Sequence, residues 1–156
     1  MTNFTVRLAG RADIPQLLQL CQGLWREHAG LDPAFALSPA AVSVHRSWLK
    51  ENLRRRDCRV LIAEADGKQI GTATATVSEA PLFWPSRYGY LRDVYVLPPW
   101  RRQGLGTLLV KDLLNWLRSE SVARVELLAL AANSEARAFW SGQGFEDKFF
   151  VYHRSL

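Results

Sequence analysis

The stretch Arg101-Arg102-Gln103-Gly104-Leu105-Gly106-Thr107 decides the fold of this chain. It follows a β-like segment, Tyr90 to Leu97, that is closed by Pro98-Pro99, and it leads into an amphipathic segment, Thr107 to Arg118. This order predicts a strand, a tight basic turn and the N-terminus of a helix. Such a turn offers unpaired backbone N–H groups and the positive end of a helix dipole to an anion.

Two glycines and two arginines give the turn its chemistry. Gly104 and Gly106 carry no Cβ, so the backbone can approach a diphosphate closely. Arg101 and Arg102 add charge-assisted hydrogen bonds at the rim. A turn whose glycines only relieve strain is the alternative. Because the pattern lacks the Lys-Ser or Lys-Thr of a P-loop and the third glycine of a dinucleotide fingerprint, we predict a pyrophosphate carried by something other than ATP or NAD.

The residues around the turn form longer patterns. Leu91 to Gly106 reads LRDVYVLPPWRRQGLG, and Asn133 to Phe145 reads NSEARAFWSGQGF. The former resembles the acetyl-CoA-binding motif of the GNAT acetyltransferases, a strand L-x-x-V-x-V-x-P followed by R/Q-x-x-G-x-G/A. The latter is similar to that family's N-x-x-A-x-x-F-Y-x-x-x-G-F motif. Upstream, Val6 to Pro15 resembles the usual opening strand and first helix, so the resemblance covers nearly the whole chain.

Composition limits the class of partner. The chain has 156 residues, 48% of them hydrophobic and 22% charged, as expected of one soluble globular domain. Its net charge of +5 favours an anionic partner. The basic residues form short clusters, at Arg54-Arg55-Arg56 and on the glycine turn, rather than a continuous stripe. This pattern favours a phosphorylated cofactor over a nucleic acid.

Cysteine usage and the N-terminus predict the compartment. Cys21 and Cys58 are too few for a disulfide framework or a zinc site, so we expect buried thiols and no metal. The N-terminal stretch from Met1 to Val6 lacks the features of a signal peptide. The sequence contains no run of about 18 apolar residues, so we expect no membrane span. We therefore expect a cytoplasmic protein.

The order of elements predicts a single α/β domain over residues 1–156. Ser38 should cap the second helix, and Asp66-Gly67 should form a hairpin turn. The resemblance implies a GNAT-like fold, a mixed, mostly antiparallel sheet with a splayed central strand pair, flanked by helices. The predicted strands are Phe4–Leu8, Arg59–Ala65, Gln69–Ser78, Tyr88–Val96 and Arg124–Ala129; the predicted helices are Asp13–His28, Pro39–Arg55, Gly104–Glu120 and Asn133–Gln143; Phe145–Glu146 and Phe149–Arg154 would close the chain as a β-hairpin.

The resemblance also implies a cofactor site. The main chain of the central strand would pair with the pantetheine arm, the glycine turn would bind the diphosphate, and Asn133 would bond to the cofactor besides capping its helix. Trp140 stands where many relatives have a Tyr whose hydroxyl protonates the departing thiolate, which an indole cannot do. Water, Tyr95 or Tyr88 would then serve. The cofactor-binding residues implied are Val94, Tyr95, Val96, Arg101, Arg102, Gln103, Gly104, Leu105, Gly106, Thr107, Asn133 and Trp140.

The acceptor side is predicted from fewer residues. Arg92 and Asp93 alternate on a strand, so only one should point into the cleft. Asp93 would be a catalytic base or amine anchor, whereas Arg92 would bind a carboxylate or phosphate on the substrate; surface salt links are the alternative. Trp84, at the tip of the loop 81–87, could contact the substrate or form a homodimer contact. Glu27 and His28 would wall the acceptor site.

The resemblance implies an N-acetyltransferase. We expect an acetyl group to move from acetyl-CoA to a primary amine of a small molecule, by direct transfer in a ternary complex. Two alternatives stay open within the same fold. The acceptor could be a protein lysine or N-terminus, or the chain could be a catalytically silent CoA-binding regulatory domain.

Overall fold

The computed structural model of the chain describes residues 3–156, so Met1 and Thr2 lie outside the described part. Its elements follow the predicted order from the N-terminus as far as the last helix. The strands are β1 Thr5–Leu8, β2 Cys58–Ala65, β3 Lys68–Glu79, β4 Arg87–Val96 and β5 Val125–Glu126; the helices are α1 Ile14–Leu31, α2 Ala41–Asn52, α3 Leu105–Ser119 and α4 Ser134–Gly142.

The sheet has the order β1-β2-β3-β4-β5, and only its last pair is parallel. Asp66 and Gly67 join β2 to β3 with φ angles of 50° and 72°, the left-handed values that a tight hairpin turn requires. β4 and β5 pair only at Gly89 with Val125 and at Tyr90 with Glu126. Beyond these two positions the strands diverge, which confirms the predicted mixed sheet with a splayed central pair.

The two faces of the sheet are covered by different helices. Leucines at every fourth position of α3 (Leu105, Leu109, Leu113 and Leu117) lie on one side of the helix and are fully buried on one face of the sheet. Residues of α1 and α2 pack on the other face, around Ile62. Each buried leucine contributes about 1.5–3 kcal/mol. This packing fixes the N-terminus of α3 beside the end of β4.

One predicted helix start is right and the other is wrong. Asp13 is the N-cap residue of α1, but its carboxylate does not bond to the helix and instead accepts hydrogen bonds from the Gly10 amide at 2.7 Å and from Arg7 at 2.8 Å. Ser38 does not cap α2, whose N-cap is Ala40. α1 also continues through Gly30 to Leu31, because Asp32 begins the next turn by accepting from the Ala34 amide.

The predicted C-terminal hairpin is also wrong. In the described chain, residues 145–156 contain no helix or strand, and side chains such as Phe149 and Tyr152 are largely exposed. The predicted strand Arg124–Ala129 is reduced to Val125–Glu126. A hairpin is stable only against further strands or a packed face, and a two-residue β5 offers neither.

Candidate active site

A cavity of about 440 Å³ opens where β4 and β5 diverge. The end of β4 forms one wall, residues 127–130 form the opposite wall, and the N-termini of α3 and α4 close it. The predicted site residues that line it are Arg92, Asp93, Val94, Tyr95, Val96, Arg101, Arg102, Gly104, Gly106, Thr107, Asn133 and Trp140. The splayed strands therefore gather most of the predicted site in one place.

The glycine turn presents free backbone donors to this cavity. Gly104 is the N-cap of α3 at φ 85°, a left-handed value that favours glycine. A Cβ on Gly106 would lie 3.4 Å from the Phe139 ring, so this glycine lets the turn pack closely against α4. Among the described residues, no oxygen accepts a hydrogen bond from the backbone N–H groups of residues 104–107. These groups and the dipole of α3 form an anion site.

Arg101 is held inside the protein rather than at the rim. Its Nε donates to the Val96 carbonyl at 2.8 Å, and its guanidinium donates to the Glu27 carboxylate at 2.6 Å. Its own amide bonds to the Pro98 carbonyl. Arg101 therefore connects the end of β4 to α1. Arg102 is exposed and, within residues 3–156, forms no ion pair, so it is the rim arginine left to face a phosphate.

A bulge in β4 breaks the expected alternation of side chains. The register with β3 shifts between Thr72 and Thr74, and Asp93 takes a φ of 52°. As a result, Arg92 and Asp93 do not point to opposite faces. The Nε of Arg92 donates to Asp93 Oδ2 at 2.9 Å, and both residues line the cavity. The prediction that only one of them faces the cleft is wrong.

Asp93 lies against a buried cluster on α1 and α2. Nε2 of His45 is 3.9 Å from Asp93 Oδ2, and its ring stacks on Trp48. The Arg92 guanidinium covers the Trp48 ring at 4.4 Å. Burial lowers the pKa of His45 and raises that of the neighbouring Cys21 thiol. Both groups are therefore neutral near pH 7.

Tyr95 lies at the end of the cavity next to α1. Its hydroxyl donates to Glu27 at 3.0 Å, and burial together with that carboxylate raises the Tyr95 pKa. A Cβ on Gly23 would lie 2.8 Å from the Tyr95 hydroxyl, so this glycine makes room for the ring. Tyr88, the other tyrosine considered as an acid, packs under Arg124 and does not line the cavity.

Known proteins resemble this chain in sequence and in fold. The model of the acetyltransferase (GNAT) family matches residues 17–145. The chain belongs to the GNAT family. An uncharacterised N-acetyltransferase of Archaeoglobus fulgidus is 26% identical over 133 residues, covering 85% of this chain and 88% of that protein. A crystal structure of a predicted acetyltransferase with acetyl-CoA from Clostridium acetobutylicum superposes with a TM-score of 0.82 at 19% identity, covering 98% and 96% of the two chains.

A shorter similarity concerns a mouse enzyme. Thialysine N-epsilon-acetyltransferase of Mus musculus is 31% identical over 64 residues, which is 41% of this chain and 38% of the mouse protein. The two chains are thus alike over part of their lengths only.

The second GNAT motif lies at the far side of the cavity. Asn133 caps α4 by accepting from the Ala136 amide at 2.9 Å, which leaves its amide nitrogen without a protein acceptor in the described chain. Trp140 lines the cavity and packs edge-on against Phe139 and Phe145. The indole is fixed as part of the wall.

Three predicted site residues do not line the cavity. Gln103 bonds to the Pro99 carbonyl, Leu105 is buried in the core, and Trp84 is 92% exposed on its loop. Whether Trp84 forms a homodimer contact stays a prediction. His45 was missed, because a single histidine on a helix gives no pattern that connects it to β4. No helix within residues 3–156 has the length and apolar character needed to cross a membrane.

Proposed function

We propose that the chain is an N-acetyltransferase that moves an acetyl group from acetyl-CoA to a primary amine of a small molecule, by direct transfer in a ternary complex. One observation carries this proposal. The unpaired amides of residues 104–107 lie on the wall of a cavity that continues, along the splayed part of β4, to the carboxylate of Asp93. A single cavity that joins unpaired amides at a helix N-terminus to a buried carboxylate suits a phosphorylated thioester carrier that meets an amine.

The cofactor end is made largely of main chain. The amides of residues 104–107 would bind the diphosphate, with Arg102 adding charge at the rim. The side chains of Gln103, Leu105 and Arg101 would hold the turn in place. Farther along β4, the ladder to β5 has ended, so the main chain of Val94 to Val96 is available to the pantetheine arm. Asn133 and Trp140 would contact the arm from the other side.

The acceptor end supplies groups for the amine. Acetyl-CoA brings the thioester carbonyl, and the amine must reach it without its proton. An alkyl amine has a pKa near ~10, so a base is needed near neutral pH. Asp93, at the cavity wall, would anchor the ammonium and accept its proton. Arg92, paired with Asp93, would bind an acidic group of a substrate that carries one.

The departing thiolate has no tyrosine at the usual position. Trp140 cannot supply a proton, and the Tyr95 hydroxyl already donates to Glu27 with its pKa raised. We therefore propose that the thiolate leaves through water.

The shape of the site and one relative support a small acceptor. The Asp93 side chain is only 9% exposed, so an amine must enter the cavity to reach it. The mouse relative is named for acetylating thialysine, an amino acid. A protein lysine would need its long side chain to reach the same depth, and it stays the second candidate.

The test combines binding with turnover. Thermal melting with acetyl-CoA should raise the midpoint, because a ligand that binds only the folded state stabilises it. Release of free thiol is then measured across lysine, thialysine, cadaverine, ethanolamine and glucosamine, with a lysine-containing peptide beside them. Turnover of a small amine supports the proposal. A melting shift without turnover on any amine would instead indicate a silent CoA-binding domain, and no shift would contradict both.

A further inference from the structure

We propose that His45 completes a proton relay: the proton that the acceptor ammonium gives to Asp93 passes on to Nε2 of His45. The inference rests on the proposed function, because it concerns the same amine and the same carboxylate. His45 does not line the cavity and acts only through Asp93, so it is a positioning residue. The relay adds to the site a proton acceptor that does not contact the substrate.

The first observation is an unpaired buried nitrogen. His45 is 6% exposed, and its Nε2 has no hydrogen-bond partner among the described residues. Leaving a buried polar atom unpaired costs about 1–3 kcal/mol. Buried polar atoms left unpaired are uncommon in native proteins, and a catalytic role is one reason for them.

The second observation is where that nitrogen lies. Trp25 meets the imidazole edge-on at 5.0 Å, and Trp48 stacks on it at 5.6 Å, so the ring is held between two indoles. Held this way, Nε2 lies 3.9 Å from Asp93 Oδ2. This exceeds a direct hydrogen bond of about 2.7–3.2 Å, so the relay requires the carboxylate to rotate toward the imidazole. Such contacts commonly tighten once substrate is bound.

The third observation concerns the base strength of the pair. Asp93 Oδ2 accepts a hydrogen bond from the Nε of Arg92 at 2.9 Å, so the carboxylate is engaged on one side and lies next to the imidazole on the other. An ordinary imidazole is a stronger base than a carboxylate, with a pKa of about 6.5 against about 3.9, and burial reduces this difference for His45. The relay breaks the N–H bond of the ammonium and forms one on His45, which frees the amine lone pair to attack the thioester carbonyl.

Burial and the charged groups around His45 decide whether its imidazole is charged. Burial lowers its pKa, and Arg92 acts in the same direction, while Asp93 opposes both. Cys21, facing it from α1, stays a thiol because burial raises its pKa. With these neighbours on α1 and β4, the imidazole is neutral before it receives a proton.

The same cluster does not make a convincing metal site. Atoms of Cys21, His45 and Asp93 lie within 4.8 Å of one another. The Asp93 oxygen that would bind a cation already accepts from the Arg92 guanidinium, and the buried thiol resists the ionisation that a metal ligand needs.

The experiment compares two acceptors in the His45→Gln variant. The first is the alkyl amine of the panel that turns over fastest, and the second is its β,β-difluorinated analogue, which is largely uncharged at pH 7.5. The first must lose a proton before attack and the second need not. We expect kcat/KM to fall about 10–100-fold for the alkyl amine and less than about 3-fold for the analogue. Equal losses for both acceptors would overturn the proposal, because a structural defect does not distinguish them.

Cys21→Ala is the matched packing control. It loosens the packing beside His45 but leaves the imidazole between its two indoles, so any loss should be proportionally equal for the two amines. If it discriminates between them as strongly as His45→Gln does, the discrimination comes from packing and the relay is wrong.

A measurement on the unmodified protein covers the case in which His45→Gln does not fold. An NMR titration of the histidine ring nitrogens, with acetyl-CoA bound, should find His45 uncharged at pH 7.5. A charged imidazole would overturn the relay. Absence of turnover by the unmodified protein on every amine would instead contradict the proposed function itself, so the two failures are distinguishable.

Discussion

The two ends of the cavity differ in the groups that they present: one presents main-chain groups and the other presents side chains. The cofactor end comes from a single contiguous turn and presents backbone N–H groups of residues 104–107. The acceptor end comes from the Arg92–Asp93 pair on β4, and behind it lie Cys21 of α1 and His45 of α2, which do not line the cavity. Main chain is insensitive to most substitutions, whereas Arg92 and Asp93 pair with each other, so the loss of either side chain leaves the other without that partner.

This difference divides the expected effects of mutation. At the cofactor end, only changes that alter the backbone conformation or add charge should matter. At the acceptor end, changes that preserve shape but remove charge should suffice to stop the reaction while leaving acetyl-CoA bound.

The largest expected effect is that of Asp93→Asn. The amide keeps the shape of the carboxylate but can neither anchor an ammonium by charge nor take its proton. We expect kcat/KM for an alkyl amine to fall about 10²–10⁴-fold, with the melting shift by acetyl-CoA retained. Thiol release and thermal melting measure the two. Loss of the acetyl-CoA shift in this variant would mean that the two ends are not separable.

Gly104→Asp should weaken acetyl-CoA binding about 10–100-fold, by calorimetric titration. The substitution strains a residue at φ 85° and places a carboxylate where a diphosphate would lie. Gly104→Ala is its control, because it carries the same strain without the charge and should lose less affinity. Equal affinity in Gly104→Asp and the unmodified protein would show that the diphosphate does not bind at this turn.

The neighbouring arginines should differ from each other. Arg102→Gln should weaken acetyl-CoA binding about 3–10-fold at low salt, and less at high salt, because an exposed charge is screened. Arg101→Gln should instead lower the melting temperature, since it removes the charged partner of Glu27 and the side-chain donor to the Val96 carbonyl. Weaker acetyl-CoA binding in Arg101→Gln, with unchanged binding in Arg102→Gln, would identify Arg101 as the phosphate ligand.

The smallest effect concerns stability and pH. Burial lowers the pKa of His45 in the folded state, so the unfolded chain takes up a proton there first as the pH falls. The free energy of unfolding should therefore decrease as the pH falls below about 6.5, the pKa of an unfolded histidine. Urea denaturation at pH 7.5 and 5.5 should find a smaller decrease in His45→Gln. An equal decrease in both proteins would mean that His45 is not the group responsible.

The part of the site that was predicted from sequence is the part that lies within one segment. Gly104 and Gly106 report backbone geometry directly, because only glycine suits a left-handed cap and a close approach to Phe139. Asp66-Gly67 did the same for the hairpin between β2 and β3. Local requirements of this kind leave a local signature.

What sequence could not provide depends on contacts between distant segments. Alternation predicted opposite faces for Arg92 and Asp93, but a bulge depends on pairing with β3, which the residues of β4 do not encode alone. The predicted hairpin at residues 145–154 failed because apolar residues with strand propensity need a partner, and β5 is too short to be one. The position of His45 next to Asp93 depends on α2 lying against β4, which the sequence of α2 alone does not reveal.

On the proposed function, the bulge at Asp93 would make the length of β4 a determinant of acceptor chemistry. Deleting one residue there would restore regular alternation and send Arg92 and Asp93 to opposite faces of the sheet, while the turn at 104–107 would keep its own sequence. An insertion or deletion in a central strand is ordinarily regarded as damage. In this domain, it is a route by which a lineage could exchange one class of acceptor for another without altering how the donor is held.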